Sequence, residues 1–222
     1  FFPSAIEIGY HLPREMLPKE YSHLPVLGTV RNPWEFYVSW YHHQHSNRRN
    51  AMQANVLFGF LSRNRRLSFV ETLQNALALG VDDRELTALI ENLPEEFDLQ
   101  ARNIPNLTKN VMKKIRGTGL GLYTFRFNQL FGSTEDVYFC RVESLRKDLM
   151  NFFEKIGVAN DSLRSYVLDL DKKNTSESSH YSAYYTPELA NLVSIRERQI
   201  ISRFGFIFEK EDAIHTLPRI DD

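Results

Sequence analysis

An arginine at the end of a strand and a serine two turns into the following helix can converge on one anionic group. The guanidinium supplies paired charge-assisted hydrogen bonds and the hydroxyl adds one more. Residues 30–43, Val-Arg-Asn-Pro-Trp-Glu-Phe-Tyr-Val-Ser-Trp-Tyr-His-His, have this form, which makes Arg31 and Ser39 candidate ligands of a phosphate-like anion. A doubly charged phosphate suits the planar fork of an arginine. Glu35 reads as surface and Trp34 as packing. Other clusters carry weaker chemistry. His42, His43 and His45 are crowded enough to suggest a metal, but successive helical residues point about 100° apart and no carboxylate stands at ligand spacing, so no metal site is expected. Gly117, Gly119 and Gly121 lack the Lys-Ser or Lys-Thr of a phosphate loop and read as a turn. Arg48, Arg49, Arg63, Arg65 and Arg66 read as a solvated basic rim, with attraction of an anionic ligand as the sharper alternative.

Arg31 and Ser39 need a strand before them and a helix between them. Residues 24–30 are short, apolar and rich in β-branched side chains, as in a buried strand. Pro33 suits the first turn of a helix, where its missing N–H has no partner to lose. Residues 5–8 read as a strand or strand end, and 136–142 as a second good strand, followed by a helix over 143–156. Between these segments, 46–66 reads as a polar connection around a short apolar piece. Ser68 and Glu71 form a capping box for a helix ending near Leu79, with Gly80 as its stop. Helical spacing continues over 83–93 and 106–115. A polar loop at 171–180 precedes a helix that Thr186 caps, with proline at its first position, predicted to run to about Arg203. Strands alternating with helices around an inserted helical block, 46–116, predict one α/β domain over 1–222.

Composition limits the function. A chain of 222 residues with 42% hydrophobic and 25% charged residues is ordinary for a globular domain, and a net charge of −1 offers no general attraction for nucleic acid. No uninterrupted apolar stretch approaches the roughly 18–20 residues of a membrane span, and the first residues do not read as a signal peptide. The single Cys140 lies in an apolar run, reads as a buried thiol and is compatible with a reducing cytoplasm.

The Arg31-Asn-Pro element with Ser39 eight residues on resembles the 3′-phosphate-binding motif of sulfotransferases that use 3′-phosphoadenosine-5′-phosphosulfate, PAPS. Two further segments are similar to that family in the same order. Gly9-Tyr10-His11-Leu12-Pro13 resembles the segment in which a histidine before Leu-Pro is the catalytic base. Tyr138-Phe-Cys-Arg-Val-Glu-Ser-Leu and then 174–189, with its Asn-Thr-Ser and Tyr-Ser-Ala-Tyr-Tyr, look like the late part of bacterial and carbohydrate-type members. The resemblance covers most of the chain loosely, and only the Arg31–Ser39 element is specific by itself. It implies a parallel sheet of the P-loop nucleoside-triphosphate-hydrolase type flanked by helices, with PAPS as sulfuryl donor and no metal. It further implies His11 as base, Arg31 and Ser39 on the 3′-phosphate, and Asn174, Ser176, His180 and Tyr181 over the nucleotide. The implied acceptor is a hydroxyl or amine on a small molecule or glycan. The family's Pro-Lys-x-Gly-Thr-type loop for the 5′-phosphosulfate is missing, since Pro18-Lys19-Glu20 does not continue as one, and the chain is expected to begin after it. A nucleotide-binding module without turnover and a P-loop kinase-like phosphotransferase are the alternatives.

Overall fold

The computed structural model describes residues 10–46, 55–100, 106–132, 135–169 and 179–209. Its two strands, β1 (Val26–Val30) and β2 (Val137–Arg141), are parallel and in register from Val26 opposite Val137 to Val30 opposite Arg141. Parallel strands need a long crossover. Here it comprises α1 (Pro33–Ser46), α2 (Val56–Leu61), α3 (Phe69–Ala78), α4 (Asp83–Glu91), α5 (Lys109–Lys113) and α6 (Leu122–Phe131). After β2 come α7 (Leu145–Lys155), α8 (Asp161–Asp169), a 3₁₀ turn (Tyr181–Tyr184), α9 (Pro187–Arg196) and α10 (Arg198–Phe204). The result is α/β, mostly helical, with a two-stranded sheet among the described residues. No helix among them is long and apolar enough to cross a membrane.

The period-2 alternation of the strands gives each face its own cover. Val30 and Phe139 belong with the large core that includes Trp34, Tyr37, Phe125, Phe127 and Ile200. Leu27 and Tyr138 pack instead against Met150, Phe152, Phe153, Leu163 and Val167, which come from α7 and α8. Cys140 is fully buried, and burial, with the charge of Asp148, pushes its thiol up to about 11.

Several helix ends follow from local chemistry. The Ser68 hydroxyl accepts the Glu71 N–H (3.3 Å) while the Glu71 carboxylate accepts the Ser68 N–H (2.8 Å), which completes the expected capping box. Thr186 caps α9 with Pro187 at its first position. Gly80 has a further role besides ending a helix. Its carbonyl accepts the Gly119 N–H (3.1 Å), and a Cβ there would lie 2.4 Å from the Leu120 carbonyl oxygen, so only glycine lets the two chains meet.

Elsewhere the structure departs from the sequence expectation. The connection at 46–66 contains α2, whose six residues are too few to show a helical period but bury Leu57, Phe58 and Leu61. The aromatic segment after the glycines is a helix, α6, and α8 had no expected counterpart. The long helix after Thr186 is interrupted at Glu197, which separates α9 from α10. No Pro or Gly marks that break, and the Glu197 N–H and carbonyl keep their helical bonds to Val193 and Ile201. The expected strand at 5–8 lies outside the described residues.

Candidate functional site

The carboxyl ends of β1 and β2 lie side by side, and Arg31 and Asn32 leave the sheet there. Asn32 starts α1. Its side-chain oxygen accepts the Trp34 N–H (3.1 Å), its carbonyl accepts the Phe36 N–H (2.8 Å), and Pro33 occupies the first helical position. The Asn32 N–H in turn donates to Glu143 just beyond β2 (2.7 Å), and its amide donates to the Ile207 carbonyl (3.0 Å). One asparagine therefore ties the strand tip to three other segments.

Arg31 is held from both sides. Its backbone N–H donates to the Tyr123 hydroxyl of α6 (2.9 Å), and its guanidinium donates to Glu35 one turn into α1 (2.6 Å). Ser39 follows Glu35 by a further turn on the same face of α1. His42 lies on that face too, against the Tyr184 ring at 5.0 Å. Arg31 Nε and His42 Nε2 are buried with no hydrogen-bond partner among the described residues, and the Ser39 hydroxyl makes no hydrogen bond there either. An unpaired buried donor costs on the order of 1–3 kcal/mol. The i,i+4 pair with Glu35, whose two side chains are 28% and 32% exposed, returns only about 0.3–0.5 kcal/mol.

Tyr123 was not singled out from the sequence. Nothing local marks it, because its hydroxyl meets Arg31 only through the packing of α6 along β1. Its ring stacks on Phe36 at 4.0 Å and 11°. Burial raises its hydroxyl well above the ordinary value, outweighing the Arg31 N–H bond that opposes it. The hydroxyl stays protonated, and that proton has no acceptor among the described residues.

The segment after residue 179 covers this face of α1. Tyr181 is buried, its hydroxyl accepts the Glu209 N–H (2.7 Å), and burial first, with Glu209 and Glu35 adding, raises its pKa. Tyr181 thus shares the Arg31–Glu35 surroundings. His180 is used locally: its ring accepts the Ser182 N–H (3.4 Å), capping the 3₁₀ turn, and lies against Tyr181 at 4.4 Å. Tyr185 donates to the Trp34 carbonyl (2.8 Å), and Trp34 donates to the Ala190 carbonyl (3.0 Å). Asn174 and Ser176 lie outside the described residues.

His11 belongs to a different part of the fold. It is exposed, has a left-handed backbone (φ 54°) and lies against the Tyr10 ring at 4.0 Å. Three residues on, Arg14 forms a two-pronged ion pair with Asp136 (2.5 and 2.6 Å), immediately before β2. That contact is at the amino ends of the strands, roughly 15 Å along the sheet from Arg31. Arg31 and Tyr181 both lie near Glu35, and Ser39 follows Glu35 by one turn of α1, while the segment carrying His11 is anchored at the opposite end.

Of the basic rim, Arg63 is paired with Glu85 (2.8 Å) and lies over Phe60 at 5.0 Å. Arg48 and Arg49 lie outside the described residues. His45 packs on Tyr41 at 4.5 Å, so the histidine cluster takes part in aromatic packing. Among the described residues no three His, Cys, Asp or Glu side chains group as a metal site would need. Comparison with family models, curated proteins and solved structures finds no match to this chain.

Proposed function

We propose that this chain binds the 3′-phosphate of a nucleotide on the face of α1 that carries Arg31 and Ser39, and that it serves sulfuryl transfer from PAPS to a hydroxyl or amine of a small molecule or glycan. The observation behind this reading is the Arg31 guanidinium itself. It is paired with Glu35, one turn before Ser39 on α1, and its Nε is buried with no hydrogen-bond partner among the described residues. The Tyr123 hydroxyl, which accepts the Arg31 N–H, would donate to the anion alongside it in this reading. The resemblance of residues 31–39 to the sulfotransferase motif supports the choice of PAPS. The parallel pairing of β1 and β2 with helices on both faces supports a sheet of the P-loop nucleoside-triphosphate-hydrolase type.

In this scheme Arg31 neutralises the 3′-phosphate, Ser39 and Tyr123 fix its orientation, and Tyr181 covers the nucleotide side of α1. PAPS, when bound, supplies the sulfuryl group. The resemblance makes His11 the candidate to take the proton of the acceptor, although its segment is anchored at the amino ends of the strands. Positioning and charge neutralisation would supply most of the acceleration, by analogy with phosphoryl transfer.

The anchoring of Arg14 at the amino ends of the strands favours a second reading, a nucleotide-binding module without turnover. Calorimetry with adenosine 3′,5′-bisphosphate tests what both readings share. Wild type should bind it well and adenosine 5′-monophosphate poorly. Arg31→Ala should lose about 2–3 kcal/mol of the former, roughly 30- to 150-fold. Equal affinity for the two nucleotides would remove the 3′-phosphate assignment. Transfer of labelled sulfate to an acceptor, abolished in His11→Ala, separates the enzyme from the module.

A further inference from the structure

Glu197 is a carboxylate with no exposed surface, set between α9 and α10. It lies on the apolar side of its segment, in step with Val193 and Ile200, so its burial follows from helical spacing. The carboxylate accepts the Thr124 N–H (2.7 Å), the Tyr123 N–H (3.3 Å) and the Tyr37 hydroxyl. Those two backbone donors are orphans of the first turn of α6, which starts after Gly121 with no side-chain cap of its own. Glu197 is therefore the cap of α6, supplied from a distant part of the chain, and its charge suits the positive end of the helix dipole. The Gly121 N–H donates to the Arg196 carbonyl (2.9 Å), which locks the same junction by a second bond.

The first turn of α6 carries Tyr123, whose hydroxyl receives the Arg31 N–H. Tyr37, the other Glu197 partner, stands on α1 beside Phe36, on which the Tyr123 ring stacks. One buried carboxylate thus ties the α9–α10 junction to α6 and α1, two of the elements that meet at Arg31. We propose that Glu197 is a positioning residue of the anion site: it sets the height and rotation of α6, and with them the Tyr123 hydroxyl on which the Arg31 backbone rests. Its consequence for ligand binding rests on the 3′-phosphate reading, while its consequence for Arg31 itself does not.

Glu197→Gln keeps the shape but turns an N–H₂ group toward one of the backbone donors. Tyr37→Phe removes one hydroxyl and is the milder variant should the first fail to fold. Amide hydrogen exchange on the 222-residue chain is followed at Arg31, Tyr123 and Thr124, with Leu89 and Ile90 of α4 as references. The expected result is exchange about tenfold faster at the three site amides relative to the references, with Glu197→Gln the stronger. Adenosine 3′,5′-bisphosphate should bind about tenfold more weakly to Glu197→Gln, with adenosine 5′-monophosphate little changed. Acceleration that is uniform over α4 and the site, or exchange unchanged at Arg31, overturns the proposal and leaves Glu197 as a general stabiliser. Faster exchange at Arg31 in a protein whose wild type binds neither nucleotide sinks the 3′-phosphate reading and leaves the positioning role intact.

Discussion

Arg31 and Glu35 form an ion pair whose value lies in direction more than in energy. The pair holds the guanidinium against the first turn of α1, 2.6 Å from one Glu35 carboxylate oxygen. In the proposed site a 3′-phosphate would share that guanidinium with Glu35 and accept a like charge beside it. Because both side chains are partly exposed, the pair is weak and the repulsion is screened, so the balance is a modest one. Glu35→Gln should tighten binding of adenosine 3′,5′-bisphosphate by about threefold at low salt, opposite in sign to Arg31→Ala, and the gain should fade as salt is raised. Weaker binding by Glu35→Gln would show that the carboxylate orients Arg31 more than it competes for it. Tyr123 and Glu197 act at the same scale but reach Arg31 through the backbone, which is why neither stands out beside the motif in the sequence.

Among the elements, α6 is the most dependent on its surroundings. It has aromatic residues on its buried side, no side-chain cap of its own, and a first turn satisfied by Glu197. Gly121 is the residue that lets this happen. Its φ of −76° is open to any amino acid, but a Cβ there would lie 1.9 Å from a Glu197 carboxylate oxygen. Gly121→Ala must push the carboxylate off the helix end, and the resulting overpacking with a lost buried cap should cost about 2–4 kcal/mol. Urea denaturation measures it. A loss below about 0.5 kcal/mol, the level of an ordinary surface substitution, would mean that Glu197 does not hold α6. The Ser68–Glu71 box of α3 contrasts with this. It is local and exposed, and it was readable from two residues three positions apart because both partners belong to the same turn.

Across the whole molecule, Arg14 and Asp136 fasten the early segment to the amino end of β2. The Arg14 side chain, mainly by its hydrogen bonds, holds the Asp136 carboxyl at about 2, below its usual 3.8. An acid whose folded pKa is depressed stabilises the fold above its unfolded pKa and loses that contribution as pH falls through the folded value. The pair therefore contributes fully above about pH 4 and nothing much below pH 2. Urea midpoints of wild type and Arg14→Ala should differ at pH 5 and converge toward pH 2, and a difference that persists at pH 2 would assign the effect to packing of the arginine stem. What the sequence determined by itself is what neighbours along the chain decide. The strand–proline–helix signature around Arg31, the capping box at Ser68, the Thr186–Pro187 helix start and the burial of Cys140 all rest on spacings of a few residues. The helical nature of 122–131 and 161–169 was obscured by short or aromatic-rich patterns without a clear period. Tertiary structure alone decided that Arg31 rests on Tyr123, that Glu197 caps α6 from a distant helix, and that the segment carrying His11 is tied to the far end of the sheet. Each is a contact between residues distant in the chain, settled by how packed elements satisfy buried polar groups, and one-dimensional spacing carries no record of such a meeting.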